Sequence, residues 1–370
     1  MKRTDISRMV AAMVMAMAMA TSAGAQTNSQ AYRPGVTPEG VVYYLPKTAF
    51  RITIRMERKT YTPGDFCKYA ERYLRMGEVS NVAERTYKII STDIQPYGAP
   101  DKTKMFSVRL NPKTAAPNIT LSEEGILLSV NATARQPEEF PAKFKQEQKP
   151  PRVNPRQYLS QEVLAAGSTA KMAELTATEI YDIRDSRTAL IRGEADFMPT
   201  DGEQLRLMLN NLEIQEKALM SLFIGTTEVD TTETIITFCP NKEIDRMILF
   251  RLSQKLGIVD KDDLGGAPYY ISVTDLKELP EREEMDEKAR KKEEERLANA
   301  NGLFVNVPGK VLLTLYEGIE EIDSIEARAG QFGYTEMLAG DLFNKKFTTH
   351  LVLDPIGGGV EKLDLTQSAK

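Results

Sequence analysis

The apolar residues of this chain change their spacing twice, and that change constrains the fold more than any single motif. From Val41 to Ala134 the dominant period is two. Phe50, Ile52, Ile54 and Met56 alternate with Arg51, Thr53, Arg55 and Glu57, the pattern of a half-buried strand. Phe106, Val108 and Leu110, then Ile126, Leu128 and Val130, repeat it, which implies antiparallel pairing with one wet face. Over residues 158–225 the period becomes helical, and after Gly225 it returns to two.

Within the first stretch, Thr62-Pro63-Gly64-Asp65 opens a helix, because Thr62 or Asp65 can accept from orphan amides and Pro63 loses no hydrogen bond in a first turn. Phe66, Tyr69, Ala70, Tyr73 and Leu74 share one face of it. With Tyr43, Tyr44 and Tyr61 they form an aromatic cluster, expected to pack the helix onto the sheet. Residues 136–155 then carry Pro137, Pro141, Pro150, Pro151 and Pro155, a composition that holds no regular ladder and reads as a linker.

Beyond the linker, Met172, Leu175, Ile180, Ile183, Leu190 and Ile191 mark a long helix ending near Gly193. Thr200-Asp201-Gly202-Glu203 caps a second, striped by Leu205, Met208, Leu209, Leu212, Leu219 and Leu222 and stopped at Gly225. Two such helices make an antiparallel hairpin. The last third supplies strands around Ile236–Phe238, Ile248–Leu252, Tyr270–Thr274, Phe304–Leu315 and Phe347–Leu353, with turns at residues 260–266 and at Gly357-Gly358-Gly359. Met285 and Ala289 are the only uncharged residues of 281–296, a helix polar all round that must project into solvent.

The expected fold class is α+β, with this plan: a signal peptide (1–25), a polar leader (26–40), an antiparallel sheet with one helix (41–135), a Pro-rich linker (136–157), the hairpin (158–225), and a sandwich-like all-β domain (226–366) with an inserted charged helix (280–299).

The leader carries an address. Lys2, Arg3 and Arg8 precede the apolar run 9–20, and Ala23 and Ala25 offer the small residues of a signal peptidase site, so cleavage is expected before Gln26. The run is shorter than the roughly 20 residues of a membrane span. No later stretch is long and apolar enough to span a bilayer. The expected location is the periplasm or the outer membrane, peripherally attached. With 48 Lys+Arg against 53 Asp+Glu there is no basic excess for nucleic acid. Export makes Cys67 and Cys239 a pair to weigh for a disulfide, although neither position demands pairing and two separate thiols are the expected state.

Catalytic vocabularies are thin. His350 is the only histidine, sits on the solvent side of a strand, and has no Gly-x-Ser-x-Gly elbow to serve. Residues 260–266 have the look of a calcium loop, but Leu264 and Ile271 stand at ligand positions, so an acidic turn is expected. Gly357–Gly359 lacks the Lys-Ser/Thr of a phosphate loop. No metal or cofactor is expected.

Tyr43-Tyr44-Leu45-Pro46-Lys47-Thr48, Tyr61-Thr62-Pro63-Gly64, Tyr69-Ala70-Glu71-Arg72-Tyr73-Leu74, Glu179-Ile180-Tyr181, Gly193-Glu194, Pro199-Thr200-Asp201-Gly202 and Leu222-Phe223-Ile224-Gly225 together resemble an uncharacterised family, a domain of unknown function in secreted proteins of Gram-negative anaerobes. The resemblance spans most of the chain after residue 40. It implies one exported fold and transfers no active site, ligand or cofactor.

Two functions are therefore expected in order. The first is a non-catalytic envelope protein that binds or scaffolds another protein or a polysaccharide of the cell envelope. Its working surface would be the stripe Leu205, Met208, Leu212, Leu219 and Leu222, since a two-helix unit must either dock, with the C-terminal domain as the expected seat, or receive a partner. The alternative is a carboxylate-based glycan hydrolase, which needs two facing acids in a cleft. Oligomeric state is left open by the sequence.

Overall fold

The computed structural model describes residues 28–31, 40–109, 118–141, 144, 153–280, 302–339 and 347–367. The expected signal peptide, most of the leader, part of the Pro-rich stretch and the charged run 281–299 lie outside the described residues.

Three antiparallel sheets are built from strands that cross the expected divisions. In the first, β1 (Asn28–Ala31) lies beside the end of β3 (Glu84–Arg109), β3 pairs along β2 (Val41–Thr62), and β6 (Thr226–Phe238) closes the far side of β2. The third joins β4 (Ile119–Leu121) and β5 (Leu127–Val130) to β12 (Phe347–Leu353) and β13 (Val360–Gln367). Between them, the second sheet runs β11 (Glu320–Ala339), β10 (Gly302–Glu317), β9 (Ala267–Asp275), β7 (Ile244–Ser253) and β8 (Gly257–Val259).

Thus β6 belongs to the first sheet and not to a separate C-terminal β domain, while β4 and β5 leave the N-terminal part to pair near the C-terminus. A strand's alternation specifies which face is buried and is silent about its neighbour. Residues Ile126–Val130 are buried throughout rather than alternating, and β9 buries Tyr269, Ile271, Ser272 and Val273 while Thr274 is exposed.

Long strands β2 and β10 each serve two cores. Phe50, Ile52 and Ile54 of β2 meet Val311, Leu313 and Leu315 of β10 in one cluster; Tyr43 and Leu45 meet Leu303 and Val305 in a second. Both strands break register between the clusters, at Tyr44/Pro46 and at Val307/Gly309, where Pro46 and Pro308 have no amide to give a ladder.

The seam at these breaks is polar and fully engaged. The Asn306 amide donates to the Pro46 carbonyl at 2.8 Å and the Gly357 carbonyl at 3.0 Å. Gln331 pairs with one residue of β2 in both directions, accepting from Thr48 N at 2.8 Å and donating to Thr48 O at 2.7 Å. Lys104 Nζ donates to Asn306 Oδ1 at 3.3 Å, and burial pulls its pKa below the ordinary lysine value while Asp101 opposes. Gly330 is needed here, because a Cβ would stand 2.3 Å from Asn306 Nδ2.

The helices lie apart from the two sheet cores. A 3-10 turn (Cys67–Tyr69) and α1 (Ala70–Leu74) do not cover the first sheet as expected; Phe66, Ala70 and Leu74 pack instead with the hairpin. After a 3-10 turn (Pro155–Tyr158) and α2 (Gln161–Ala165) come α3 (Thr169–Arg192) and α4 (Gly202–Ile224), the antiparallel pair.

Candidate functional site

The hairpin is specified by its ends. Ser168 caps α3 by accepting from Lys171 N, and Gly193 ends it at φ 75°, with Glu194 N bonding back to Ala189 O at 2.8 Å. Asp201 caps α4 by accepting from Gln204 N at 2.7 Å. Glu216 joins the helices at mid-length, accepting from Arg184 at 2.6 Å and Arg187 at 3.0 Å.

At its base the hairpin holds an enclosed core. Ala173, Ala177 and Ile180 of α3 meet Leu219, Leu222 and Phe223 of α4, the small alanines allowing close approach, and Phe66, Ala70 and Leu74 close the cluster. Phe66 and Phe223 rings lie 5.5 Å apart. The chain entering α1 is pinned by Phe66 N donating to Leu222 O at 2.7 Å, while Gly64 has no room for a Cβ beside that carbonyl. The hairpin therefore docks on residues 66–76 and 158–159 and not on the C-terminal β strands.

Beyond Glu216 the surroundings change. Leu190 is the one fully buried side chain of the outer part of α3 among the described residues, and beside it opens a groove of about 510 Å³ floored by Ala189, Leu190, Met208 and Leu212 and walled by the loop 194–197. Phe197, Ile191 and Leu207 stand 70%, 67% and 60% exposed. Large apolar side chains gathered at one end of a helix pair mark an interaction surface.

The five stripe residues thus divide. Leu219 and Leu222 are core, Met208 and Leu212 line the groove, and Leu205 is half-buried on α4 above it. Phe197 and Leu207 were not read from the sequence, and Ile191, read there in the stripe of the first long helix, is exposed; an aromatic in the Phe197-Met198-Pro199 loop, where turns favour small polar residues, was the available signal.

A groove of similar size, about 490 Å³, opens at the base, where Ile214, Ala218 and Leu222 of α4 face the 62–65 turn and the start of β6. His350 Nδ1 contacts the Asn131 carbonyl and Nε2 meets Thr366 Oγ1 at 3.0 Å, so both nitrogens are engaged by neutral groups. Cys67 and Cys239 are free thiols, with Cys239 Sγ 3.7 Å from Thr48 O and its pKa raised by burial. No group of three or more His, Cys, Asp or Glu among the described residues is placed to hold a metal ion. In the 260–266 turn, Asp263 accepts from Gly265 N at 2.8 Å, as such turns require.

Asp230 of β6 is paired with Arg58 of β2 at 2.9 Å. A further cleft, of about 420 Å³, carries Asp354 and Glu361 from the β12–β13 connection and Glu326 of β11, each already spent: Asp354 on the Gly357 amide, Glu361 on Arg135, Glu326 on Lys310. Asp323, whose pKa is raised by burial and then by Asp93 against the Thr92 and Ser324 hydrogen bonds, lies between β11 and β3, outside these clefts. No described helix is long and apolar enough to cross a membrane.

No curated protein and no solved structure matches the chain. A family model, described as a domain of unknown function (DUF4831), matches residues 39–361, from just before β2 into the start of β13, and the chain belongs to that family.

Proposed function

We propose that the chain is an exported envelope protein that works by binding another envelope protein through the outer half of the α3/α4 hairpin. The observation that carries this reading is the division of one helical stripe into an enclosed core at the base and an open groove lined by Phe197, with Ile191 and Leu207 exposed at the same end of the hairpin. The apolar floor of Ala189, Leu190, Met208 and Leu212 supports a protein partner. Export rests on the leader, with the mature chain starting at Gln26.

Two substitutions at equivalent apolar positions test the surface. Leu219→Asp is expected to unfold the chain, and Leu212→Asp to leave it folded while removing the neighbour captured by proximity crosslinking in intact cells. A folded Leu212→Asp protein that keeps every neighbour takes the hairpin out of consideration. N-terminal sequencing of the envelope fraction should read from Gln26; intact Met1 recovered in the cytosol refutes export.

A further inference from the structure

The groove at the hairpin tip also carries information about its occupant, provided the hairpin is the working surface. We infer that it receives a basic amphipathic α-helix of the partner, laid along α3 and α4 as a third helix.

Shape comes first. A groove between two antiparallel helices accepts the ridge of another helix, the packing used throughout helical bundles. The base of this hairpin already shows the arrangement within the chain. There α1 lies against α3 and the Cys67–Tyr69 turn against α4, α2 buries Val163 beside α3, and the Pro155–Tyr158 turn lies on α4. Among the described residues no segment continues this cover over Leu212, Met208 and Leu190, so a helical filler is the element the outer half lacks.

Charge selects the filler. Glu194 and Asp196 are the charged residues lining the groove, and no lining residue is cationic. Of the cations of α3, Arg184 and Arg187 are both committed to Glu216, and Arg192, in the last turn at the same end, is not among the lining residues. At the start of α4, Asp201 and Glu203 add negative charge to the same end, with Glu203 balanced by Arg206 at 2.6 Å. A helix with a leucine-type face and Lys or Arg along its flanks would bury the first on Leu190, Met208 and Leu212 and place the second beside Glu194 and Asp196.

The test uses the purified chain and two synthetic helical peptides with one leucine pattern, carrying Lys in one and Glu in the other at the polar positions. Fluorescence anisotropy should show the Lys peptide binding at least about tenfold more tightly than the Glu peptide. Met208→Asp should abolish that binding although it adds negative charge, which separates groove docking from bulk attraction. Phe197→Ser, at a side chain too exposed to threaten folding, should weaken it, and the double variant Glu194→Lys, Asp196→Lys should reverse the preference between peptides.

Tighter binding of the Glu peptide, still lost in Met208→Asp, overturns the basic partner and leaves the hairpin surface standing. Binding of neither peptide, or binding indifferent to Met208→Asp and Phe197→Ser, overturns the third-helix inference, and the crosslinking experiment then decides the surface on its own. Self-association in sedimentation velocity that Met208→Asp abolishes would assign the groove to a second copy of the chain and overturn the inference as well.

Discussion

At the base of the hairpin, Leu219, Leu222 and Phe223 are enclosed by Phe66 and Leu74; two turns further out, Leu212 and Met208 continue the same stripe with one side open to solvent. The helices, spacing and residue types are alike in the two halves. What differs is the arrival of a third element, supplied at the base by residues 66–76 and 155–165 and by nothing described at the tip. Amphipathic periodicity thus states how much apolar area a helix offers, while tertiary connection decides whether that area becomes core or contact surface.

The largest expected effect probes the enclosed half. Phe223→Ala should cost about 3–5 kcal/mol in urea denaturation, the usual range for emptying an aromatic site in a core. Met208→Ala, at a half-open site, should cost less than about 1 kcal/mol. Equal losses would erase the distinction between base and tip.

Two glycines sharpen it at smaller amplitude. Gly225 and Gly193 both sit at φ 75°, but a Cβ at Gly225 would lie 2.4 Å from Thr62 O, whereas one at Gly193 meets nothing. Gly225→Ala should therefore cost about 2–3 kcal/mol and Gly193→Ala about 1 kcal/mol, measured as shifts in the thermal midpoint.

The smallest effect lies away from both halves. Lys104 has a folded pKa below its ordinary 10.5, so the unfolded chain binds more protons between the two values and stability should rise as pH increases through that window. Lys104→Met should flatten that rise below the ordinary lysine value. Met208→Ala should keep it, because the tip contributes nothing to the seam.

Much of the fold was legible because periodicity and punctuation agree. The change from period two to helical, Gly193, Asp201 and Gly225 located both long helices, and Phe50 to Met56 located the central strand. Only the Phe106–Val108 end of β3 was read, because Pro96, Gly98 and Pro100 interrupt the polar stretch before it; they are tolerated because β1 covers only Phe106–Arg109, leaving the rest of β3 at a sheet edge among the described strands. The seating of α1 and the partners of β5 and β6 were not legible, since contacts between distant segments leave no mark on local spacing. For the site, the stripe could be read but its division could not, because that depends on where residues 66–76 settle.

The two-way pairing of Gln331 with Thr48 joins residues 283 apart in sequence. A chain threaded out of its birthplace N-terminus first would hold β2 ready, with Phe50 to Met56 uncovered, until β10 and β11 had also emerged. Closure of either sheet core therefore waits on the last quarter of the polypeptide, and such long-range topology makes folding slow and leaves strands unpaired in the interval. Truncation near residue 300 would accordingly not release a smaller working unit. It would leave β2 permanently in the condition of an unfinished chain.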